Sequence, residues 1–185
     1  MRAEHQHMLD VRKQARQLYS LAELDQSIAR LAQEISADLA DQDPLLITVM
    51  NGGVFLAGRL LPLLDFPLEV DYLHATRYRG ETSGGTIQWL ATPETPLLDR
   101  HVLIIDDILD VGSTLMAIID ACQAQQPASV RTAVLVDKQH ERKAVPGLKA
   151  DYTGVLAEDA YLFGAGMDYK GYWRNAPGLF AVDGA

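Results

Sequence analysis

The stretch VLIIDDILDVGST, residues 102–114, decides the fold class of this chain. Its first four residues are all apolar, which is typical of a parallel strand buried on both faces. Three carboxylates follow, at Asp106, Asp107 and Asp110, and a Gly-Ser-Thr turn then opens a helix. Because ligands of open α/β sheets bind beyond the carboxyl ends of the strands, the stretch predicts a buried strand that ends in a binding loop.

Strands and helices alternate on both sides of this stretch. A capping-box pattern at Ser20 and Glu23 precedes apolar residues at helical spacing, which predicts a helix up to Leu39. Residues 1–19 are expected to be a helical N-terminal extension, with its more polar helix over residues 4–19. Other predicted elements are strands at 45–50, 68–76, 130–136, 152–156 and 179–182, and helices that end at Leu64 or follow Thr114. This alternation predicts an α/β fold with an open, mainly parallel sheet flanked by helices.

The composition favours one globular domain over residues 1–185, with 48% hydrophobic and 22% charged residues. Cys122 is the single cysteine, and its place on the apolar face of a helix predicts a core residue. The sequence has neither a cationic leader followed by an apolar stretch nor an apolar run near the roughly 18 residues of a membrane span. We therefore expect a cytoplasmic protein without a membrane partner.

The formal net charge of −9, from 25 acidic and 16 basic residues, disfavours nucleic acid as a partner. The densest basic group, formed by Lys138, Arg142 and Lys143, is small. An acidic chain still binds a small phosphorylated metabolite where backbone amides or magnesium supply a local positive potential. The acidic excess therefore leaves two interpretations open: the carboxylates only solvate the surface, or a subset of them gathers where a cation would lie.

The turn after the central strand suits a sugar phosphate. A helix N-terminus adds about half a positive charge, and its free amides bind anions. Asp106 and Asp107 suit ribose hydroxyls or a hydrated magnesium ion, which takes one or two carboxylates together with ligand phosphates. The residues whose amides and hydroxyls are expected to cradle the phosphate are Val111, Gly112, Ser113 and Thr114.

The segment IIDDILDVGST, residues 104–114, resembles the phosphoribosyl-diphosphate signature of the type I phosphoribosyltransferases. The resemblance implies their fold, with a small hood from the N- and C-terminal segments, and phosphoribosyl diphosphate (PRPP) as a substrate. It implies that Asp110 is the catalytic acid/base near N7 of a purine, and that Asp106 and Asp107 face ribose or magnesium. Asp106 departs from the Glu that is common in relatives. The alternatives are an accidentally acidic loop and a response-regulator-like acidic pair, which normally lacks the Asp-x-Gly-Ser-Thr continuation.

Further segments resemble the hypoxanthine-guanine branch of this family. VMNGGVF, residues 49–55, resembles the diphosphate-binding loop, which implies diphosphate contacts at Asn51, Gly52 and Gly53 and a cis peptide between Met50 and Asn51. Relatives often have Lys at the position of Asn51, so the amides of the two glycines are expected to bind the diphosphate here. A glycine turn without further role is the alternative.

RYRGETSGG, residues 77–85, resembles the long flexible loop that closes over the active site in this family. Arg77 and Tyr78 stand where relatives commonly have a Ser-Tyr pair. Closure of such a loop would exclude water from a reactive cation. The alternative is a plain solvated hairpin.

DKQHERK, residues 137–143, resembles the purine-binding segment of the branch. The resemblance implies that Lys138 reaches the exocyclic oxygen of a 6-oxopurine, that Tyr161 stacks on the ring, and that the Leu162 backbone reads the ring edge. A lysine ammonium donates hydrogen bonds and accepts none, so it favours a 6-oxo group over the 6-amino group of adenine. A surface lysine and an ordinary core tyrosine are the alternatives.

The segment YLFGAGMDYKGYWRN, residues 161–175, completes the resemblance. It implies that Asp168 binds the magnesium carried by diphosphate and that Arg174 contacts the diphosphate. A turn residue and a surface salt bridge are the alternatives. The histidines show no metal-ligand spacing, so structural or surface roles are expected for all of them: His5, His7, His74, His101 and His140.

The resemblance covers about residues 20–183 and implies a Mg²⁺-dependent enzyme of purine salvage. It would transfer 5-phosphoribosyl from PRPP to N9 of hypoxanthine or guanine, giving IMP or GMP and diphosphate. Relatives are commonly homodimers or homotetramers. The preference between hypoxanthine and guanine stays open, as does a sister activity on xanthine. The rival function is a regulator with the same fold that binds nucleotide and nucleic acid, which the charge balance disfavours.

Overall fold

The structure, a computed structural model, describes residues 3–77 and 87–182. These residues form two sheets and the helices around them. The helices are α1 (Ala3–Gln14), α2 (Leu21–Leu39), α3 (Val54–Leu60), which a 3-10 turn at Leu61–Leu63 extends, and α4 (Ser113–Gln123). The strands are β1 (Arg16–Ser20), β2 (Leu45–Val49), β3 (Glu69–Arg77), β4 (Ile87–Ala91), β5 (His101–Leu109), β6 (Ser129–Lys138), β7 (Tyr152–Ala157), β8 (Tyr161–Phe163) and β9 (Gly178–Val182).

Six strands form the main sheet in the order β4-β3-β2-β5-β6-β7. All neighbours in it run parallel except β4, which pairs antiparallel with β3 at one edge. Every residue of β2 is buried, as the continuous apolar pattern of a central parallel strand requires. The predicted α/β fold with an open, mainly parallel sheet is therefore confirmed.

Helices cover both faces of the main sheet. Leu103 and Ile105 of β5 pack on the face that α2 and α3 cover, whereas Ile104 packs with α4 on the other face. This alternation follows from the two-residue period of a strand. Cys122 of α4 lies in the core on this second face of the sheet, which confirms its predicted core role. Burial there raises the pKa of its thiol to about 11.

A second sheet of three strands, β1-β9-β8, forms the hood, and both of its pairings are antiparallel. Met8 and Val11 of α1 pack beneath it against Phe163 and Phe180. Leu162 of this sheet belongs to the same core cluster as the main sheet. The hood expected from the N- and C-terminal segments is thus present and shares a core with the main sheet.

The helix predicted over residues 4–19 is confirmed up to Gln14 and is wrong beyond it. The chain leaves helix α1 at Gln14, and β1 then pairs with β9, with Arg16 opposite Ala181. The partner strand lies at the far end of the sequence, so no local sequence pattern predicts the pairing. Long-range backbone pairing therefore decides the conformation of residues 16–20 over helix propensity.

Two further strands escaped prediction, namely β4 and β8. Strand β5 also runs four residues beyond the predicted apolar core, because Asp106 and Ile108 continue the pairing with β6. The carboxylates of Asp106 and Asp107 therefore stand on the last part of a strand rather than in a loop.

Among the helices of the described residues, none has the length and apolar character needed to cross a membrane.

Candidate active site

The carboxyl ends of β2, β3 and β5 open into one cavity of about 500 Å³. Ligands of open α/β sheets bind at this edge, so its position agrees with the prediction from sequence. The cavity brings together most of the predicted diphosphate, ribose and metal residues. Those that line it are Asn51, Gly52, Asp106, Asp107, Asp110, Val111, Gly112, Thr114, Asp168 and Arg174.

A second cavity of about 230 Å³ adjoins the first under the hood. It contains all of the predicted purine-binding residues, namely Lys138, Tyr161 and Leu162. Asp107 and Asp110 line both cavities, as do Ile108 and Asp168. Asp110 therefore stands where a ligand in one cavity would meet a ligand in the other.

Burial dominates the electrostatics of the carboxylate pair at the end of β5. Desolvation, followed by the neighbouring charge of Asp107, raises the pKa of Asp106 well above its usual value. Burial also raises the pKa of Asp107, although a hydrogen bond from Asp106 and the charge of Arg174 oppose this shift. The Asp107 amide donates to Asp106 Oδ1 at 2.9 Å. The pair is thus an electron-rich site that a cation or a hydroxyl donor would stabilise.

The loop after β2 lies against this pair. The peptide bond between Met50 and Asn51 is cis, as the sequence resemblance implied. A Cβ added to Gly52 would lie 2.1 Å from Asp107 Oδ2, so a larger residue here would displace that carboxylate. The Gly53 amide, however, donates to the Val49 carbonyl at 2.9 Å, so the prediction that this amide binds diphosphate does not fit this conformation.

Helix α4 begins at the opposite side of the first cavity. Its N-cap, Gly112, has φ +86°, a left-handed conformation that favours glycine, and a Cβ there would lie 2.4 Å from Leu148. The Val111 carbonyl accepts from the Ala144 amide at 2.7 Å, which ties the turn to the loop after β6. Ser113, the first residue of α4, is not among the cavity-lining residues of the described chain.

Arg174 connects the two groups of predicted metal ligands. Its Nη2 lies 2.6 Å from Asp168 Oδ1, and its Nη1 lies 3.8 Å from Asp107 Oδ2. Arg174 Nη1 also donates to the Gly166 carbonyl at 2.7 Å, and the Gly171 amide donates to Asp168 Oδ2 at 2.7 Å. The hood segment thus holds one guanidinium between carboxylates at the mouth of the first cavity.

In the second cavity, Lys138 is nearly buried and lies between two carboxylates. Its Nζ lies 3.4 Å from Asp110 Oδ2 and 3.3 Å from Asp159 Oδ1. Desolvation raises the pKa of Asp159, but a hydrogen bond from Lys138 and the charges of Arg142 and Lys138 outweigh it, so the pKa is lowered from its usual value. Tyr161 is 39% exposed and packs edge-on against Tyr169, with ring centroids 5.2 Å apart. One face of this cavity is therefore aromatic and one corner carries a fixed ammonium.

Sequence reasoning missed three residues of the site. His74 and Thr76, near the carboxyl end of β3, line the first cavity, and the rule that placed Asp106 at a strand end could have found them. His140 contacts Asp110 through Nε2 and Oδ1, which are 2.6 Å apart. No spacing in the sequence pointed to this contact, because the two residues lie on different loops.

The two predicted loop residues lie at or beyond the end of the described segment 3–77. Tyr78 lies outside the described residues, and of Arg77 only the strand backbone is described.

Within residues 3–77 and 87–182, no group of three or more His, Cys, Asp or Glu side chains is arranged to hold a metal ion by itself. A magnesium ion here would depend on oxygens of a bound substrate as well as of the protein.

The acidic end of β5, the start of α4 and the second cavity under the hood lie together at one edge of an open α/β sheet. This arrangement is typical of α/β proteins that bind a phosphorylated ligand. The comparisons with known proteins agree with this class. The chain belongs to the phosphoribosyl transferase domain family, whose pattern matches residues 14–170.

Relatives of known name lie within this family. The chain is 35% identical over 162 residues to the hypoxanthine-guanine-xanthine phosphoribosyltransferase of Tritrichomonas foetus, and the aligned region covers 88% of each chain. It is 32% identical over 161 residues to the hypoxanthine-guanine phosphoribosyltransferase of Bacillus subtilis (strain 168), covering 86% of this chain and 88% of the relative. The hypoxanthine phosphoribosyltransferase of Trypanosoma cruzi, solved in complex with the product IMP, superposes with a TM-score of 0.82 at 28% identity, covering 89% and 92% of the two chains.

Proposed function

We propose that this protein transfers a 5-phosphoribosyl group from PRPP to N9 of hypoxanthine or guanine, giving IMP or GMP and diphosphate. One observation carries the proposal: the two cavities adjoin, and Asp110 lines both of them. A sugar phosphate in the larger cavity and a purine in the smaller one would meet beside this carboxylate. The names of the relatives agree with this pair of substrates.

The start of α4 is the proposed site of the 5-phosphate of PRPP. Backbone N–H groups of a helix start are not satisfied within the helix, and they bind phosphate. Val111, Gly112 and Thr114 line the cavity at this point, and Ser113 begins the helix beside them. Asp106 and Asp107, at the end of the neighbouring strand, would accept hydrogen bonds from the ribose hydroxyls.

Magnesium fits the donor set on the diphosphate side of the cavity. Asp106, Asp107 and Asp168 offer hard oxygen ligands, which Mg²⁺ prefers, and substrate phosphates would complete its coordination. When bound, the ion would stabilise negative charge on the leaving diphosphate. Arg174, Asn51 and Gly52 are the residues that we expect to contact the diphosphate itself.

The reaction breaks the bond between ribose C1 and the diphosphate oxygen, and the electron pair leaves with diphosphate. N9 of the purine then forms the new bond to C1, while the proton on N7 passes to the carboxylate of Asp110. Lys138 donates to the 6-oxo group, Tyr161 stacks on the ring and the Leu162 backbone contacts the ring edge. Arg77 and Tyr78 are proposed to belong to a loop that closes over the site and excludes water.

An apolar surface supports a proposed homodimer or homotetramer. Val70 and Tyr72 project from the same face of β3 and are about half exposed, as is Val54 at the start of α3. The three residues line one surface cavity, and neighbouring exposed apolar residues of this kind favour burial against a second copy. Sedimentation of the parent and of Tyr72→Glu tests this, because a monomeric parent, or an unchanged assembly in the variant, contradicts the proposed face.

The decisive test of function is incubation with PRPP, magnesium and each purine in turn, with the products separated and identified by chromatography. We expect IMP from hypoxanthine and GMP from guanine, each requiring magnesium. Product from xanthine as well would extend the activity in the direction of the Tritrichomonas foetus relative. Absence of nucleotide from every base would contradict the proposed function and favour a nucleotide-binding regulator. The single-domain organisation and cytoplasmic location stay predictions from the sequence.

A further inference from the structure

His140 is buried beside the carboxylate at which the two cavities meet. It lies in the loop after β6, and its side chain is 4% exposed. Its Nε2 lies 2.6 Å from Asp110 Oδ1, whereas the Asp110 side chain is 44% exposed. A histidine that is withdrawn from solvent thus contacts the half-exposed residue that we assign to proton transfer.

The other ring nitrogen identifies which atom carries the proton. The Arg142 amide donates to His140 Nδ1 at 3.0 Å, so Nδ1 acts as an acceptor. A neutral imidazole with an acceptor at Nδ1 carries its hydrogen on Nε2. His140 Nε2 therefore donates to Asp110 Oδ1, and both nitrogens of the ring have fixed partners.

This arrangement leaves the two oxygens of Asp110 with different tasks. Oδ1 accepts from His140, while Oδ2 is the oxygen on the side of Lys138 and the purine cavity. The nearby charges are Lys138 and Arg142, which both pair with Asp159. Since Lys138 is only 3.4 Å from Oδ2, its ammonium could draw the carboxylate out of line if Oδ1 were not held.

The loop that carries His140 is itself anchored to the strand end beneath Asp110. Lys143 Nζ donates to the Leu109 carbonyl at 2.8 Å and to Asp137 Oδ1 at 2.7 Å. His140 and the residue before Asp110 are thereby tied to the same short loop. The ring can consequently transmit its fixed position to the carboxylate.

We propose that His140 is a positioning residue, whose Nε2–H donates to Asp110 Oδ1 and so directs Oδ2 towards N7 of the purine. The proposal rests on the proposed function of Asp110. Its effect belongs to the chemical step rather than to substrate binding, because His140 lines neither cavity of the described residues. A small misplacement of a reacting group lowers turnover by about 100-fold, which sets the upper end of the expected effect.

The test compares His140→Leu, which removes the donor, with His140→Gln, whose amide can donate to Asp110 and accept from the Arg142 amide. Glu141→Gln, at the exposed neighbouring position, is the matched control. We expect His140→Leu to lower kcat about 10- to 100-fold while KM for PRPP and hypoxanthine changes less than about threefold. His140→Gln should recover most of kcat, and Glu141→Gln should match the parent.

The double variant His140→Leu/Asp110→Asn separates positioning from support of the loop. If His140 acts only through Asp110, this variant loses no more activity than Asp110→Asn alone. An unchanged kcat in His140→Leu, additive losses in the double variant, or equal losses in both single His140 variants together with a lower Tm would each overturn the positioning role. A parent without turnover on any purine would overturn the proposed function, and this role with it.

Discussion

The two ends of the site use the same kinds of charged group in different proportions. At the end proposed to bind diphosphate, called the diphosphate end, the carboxylates of Asp106, Asp107 and Asp168 line the cavity together with one guanidinium, that of Arg174. Burial and mutual repulsion raise the pKa of Asp106 there. This end of the site therefore keeps an excess of carboxylate oxygens that its own cation does not balance.

At the other end, proposed to bind the purine and called the purine end, the protein's own cations balance its carboxylates. Asp110 and Asp159 face the cations of Lys138 and Arg142, and His140 adds a neutral donor. Of the buried carboxylate pair at the end of β5, Asp107 lines this smaller cavity, whereas Asp106 is not among its described lining residues.

The difference between these ends matches what each would bind. Diphosphate with a metal ion would bring charge of both signs, which fits an end that has three carboxylates and one arginine. A purine is neutral, so the protein orients donors and acceptors and needs no net charge there. Variants at the two ends should consequently affect different kinetic constants.

The largest effect is expected at the purine end, from Asp110→Asn. Removal of a general base lowers turnover by about 100- to 10,000-fold, and the isosteric amide should leave the fold intact. Steady-state formation of IMP measures the loss, with thermal unfolding as the check on the fold. Asp120→Asn, on the exposed surface of α4, is the control. Full activity in Asp110→Asn would remove this residue from the chemistry.

Arg174→Gln should weaken the binding of PRPP at the diphosphate end. Loss of a charge-assisted contact, together with unopposed carboxylates, is expected to raise KM for PRPP about 10- to 100-fold and to change KM for hypoxanthine little. Arg59→Gln, which removes the exposed ion pair with Asp25, should leave both constants unchanged. If KM for PRPP stayed constant in Arg174→Gln, the assignment of this arginine to diphosphate would be wrong.

Lys138→Gln should change the base selectivity of the purine end. A glutamine amide both donates and accepts, so the preference of the site for a 6-oxo over a 6-amino group should weaken. We expect the ratio of kcat/KM for hypoxanthine to that for adenine to fall about 10-fold, as loss of one hydrogen bond to a charged group predicts. Lys149→Gln at an exposed position is the control. An unchanged ratio would assign the selectivity to other groups.

The smallest effect concerns stability and comes from Asp106→Asn at the diphosphate end. Because the pKa of Asp106 is raised above its usual 3.8, ionisation of this residue destabilises the fold as pH rises through that range. The variant should therefore have a higher Tm at pH 7 in metal-free buffer, by about 2–4 °C per kcal/mol gained. The gain should shrink towards pH 4. A lower Tm at pH 7 would show that the buried carboxylate stabilises the fold.

Much of the fold could be predicted because its signals are local. The capping box at Ser20 is present, with the Glu23 carboxylate accepting from the Ser20 amide at 2.7 Å, and α2 follows it to Leu39. The apolar pattern likewise located β2 and the core of β5. Strand β4 was missed because it lies at a sheet edge and most of its residues are exposed, and β8 was missed because three residues are too few to show a period.

Most of the candidate site could also be predicted, since its residues follow strand ends in recognisable segments. The structure then decided what those residues contact. It paired Arg174 with Asp168, occupied the Gly53 amide within the fold, and brought His140 to Asp110 across two loops. Contacts of this kind join distant positions, so no pattern in one segment contains them.

By itself, the sequence determined the α/β class and the acidic strand end of residues 102–114, because hydrophobic period and turn chemistry act over a few residues. It also placed Asp106, Asp107 and Asp110 at the site. Only the tertiary structure decided that residues 16–20 join β9 in the hood and that His140 holds Asp110. The physical reason is that backbone pairing and side-chain hydrogen bonds depend on distance in space, which folding alone sets.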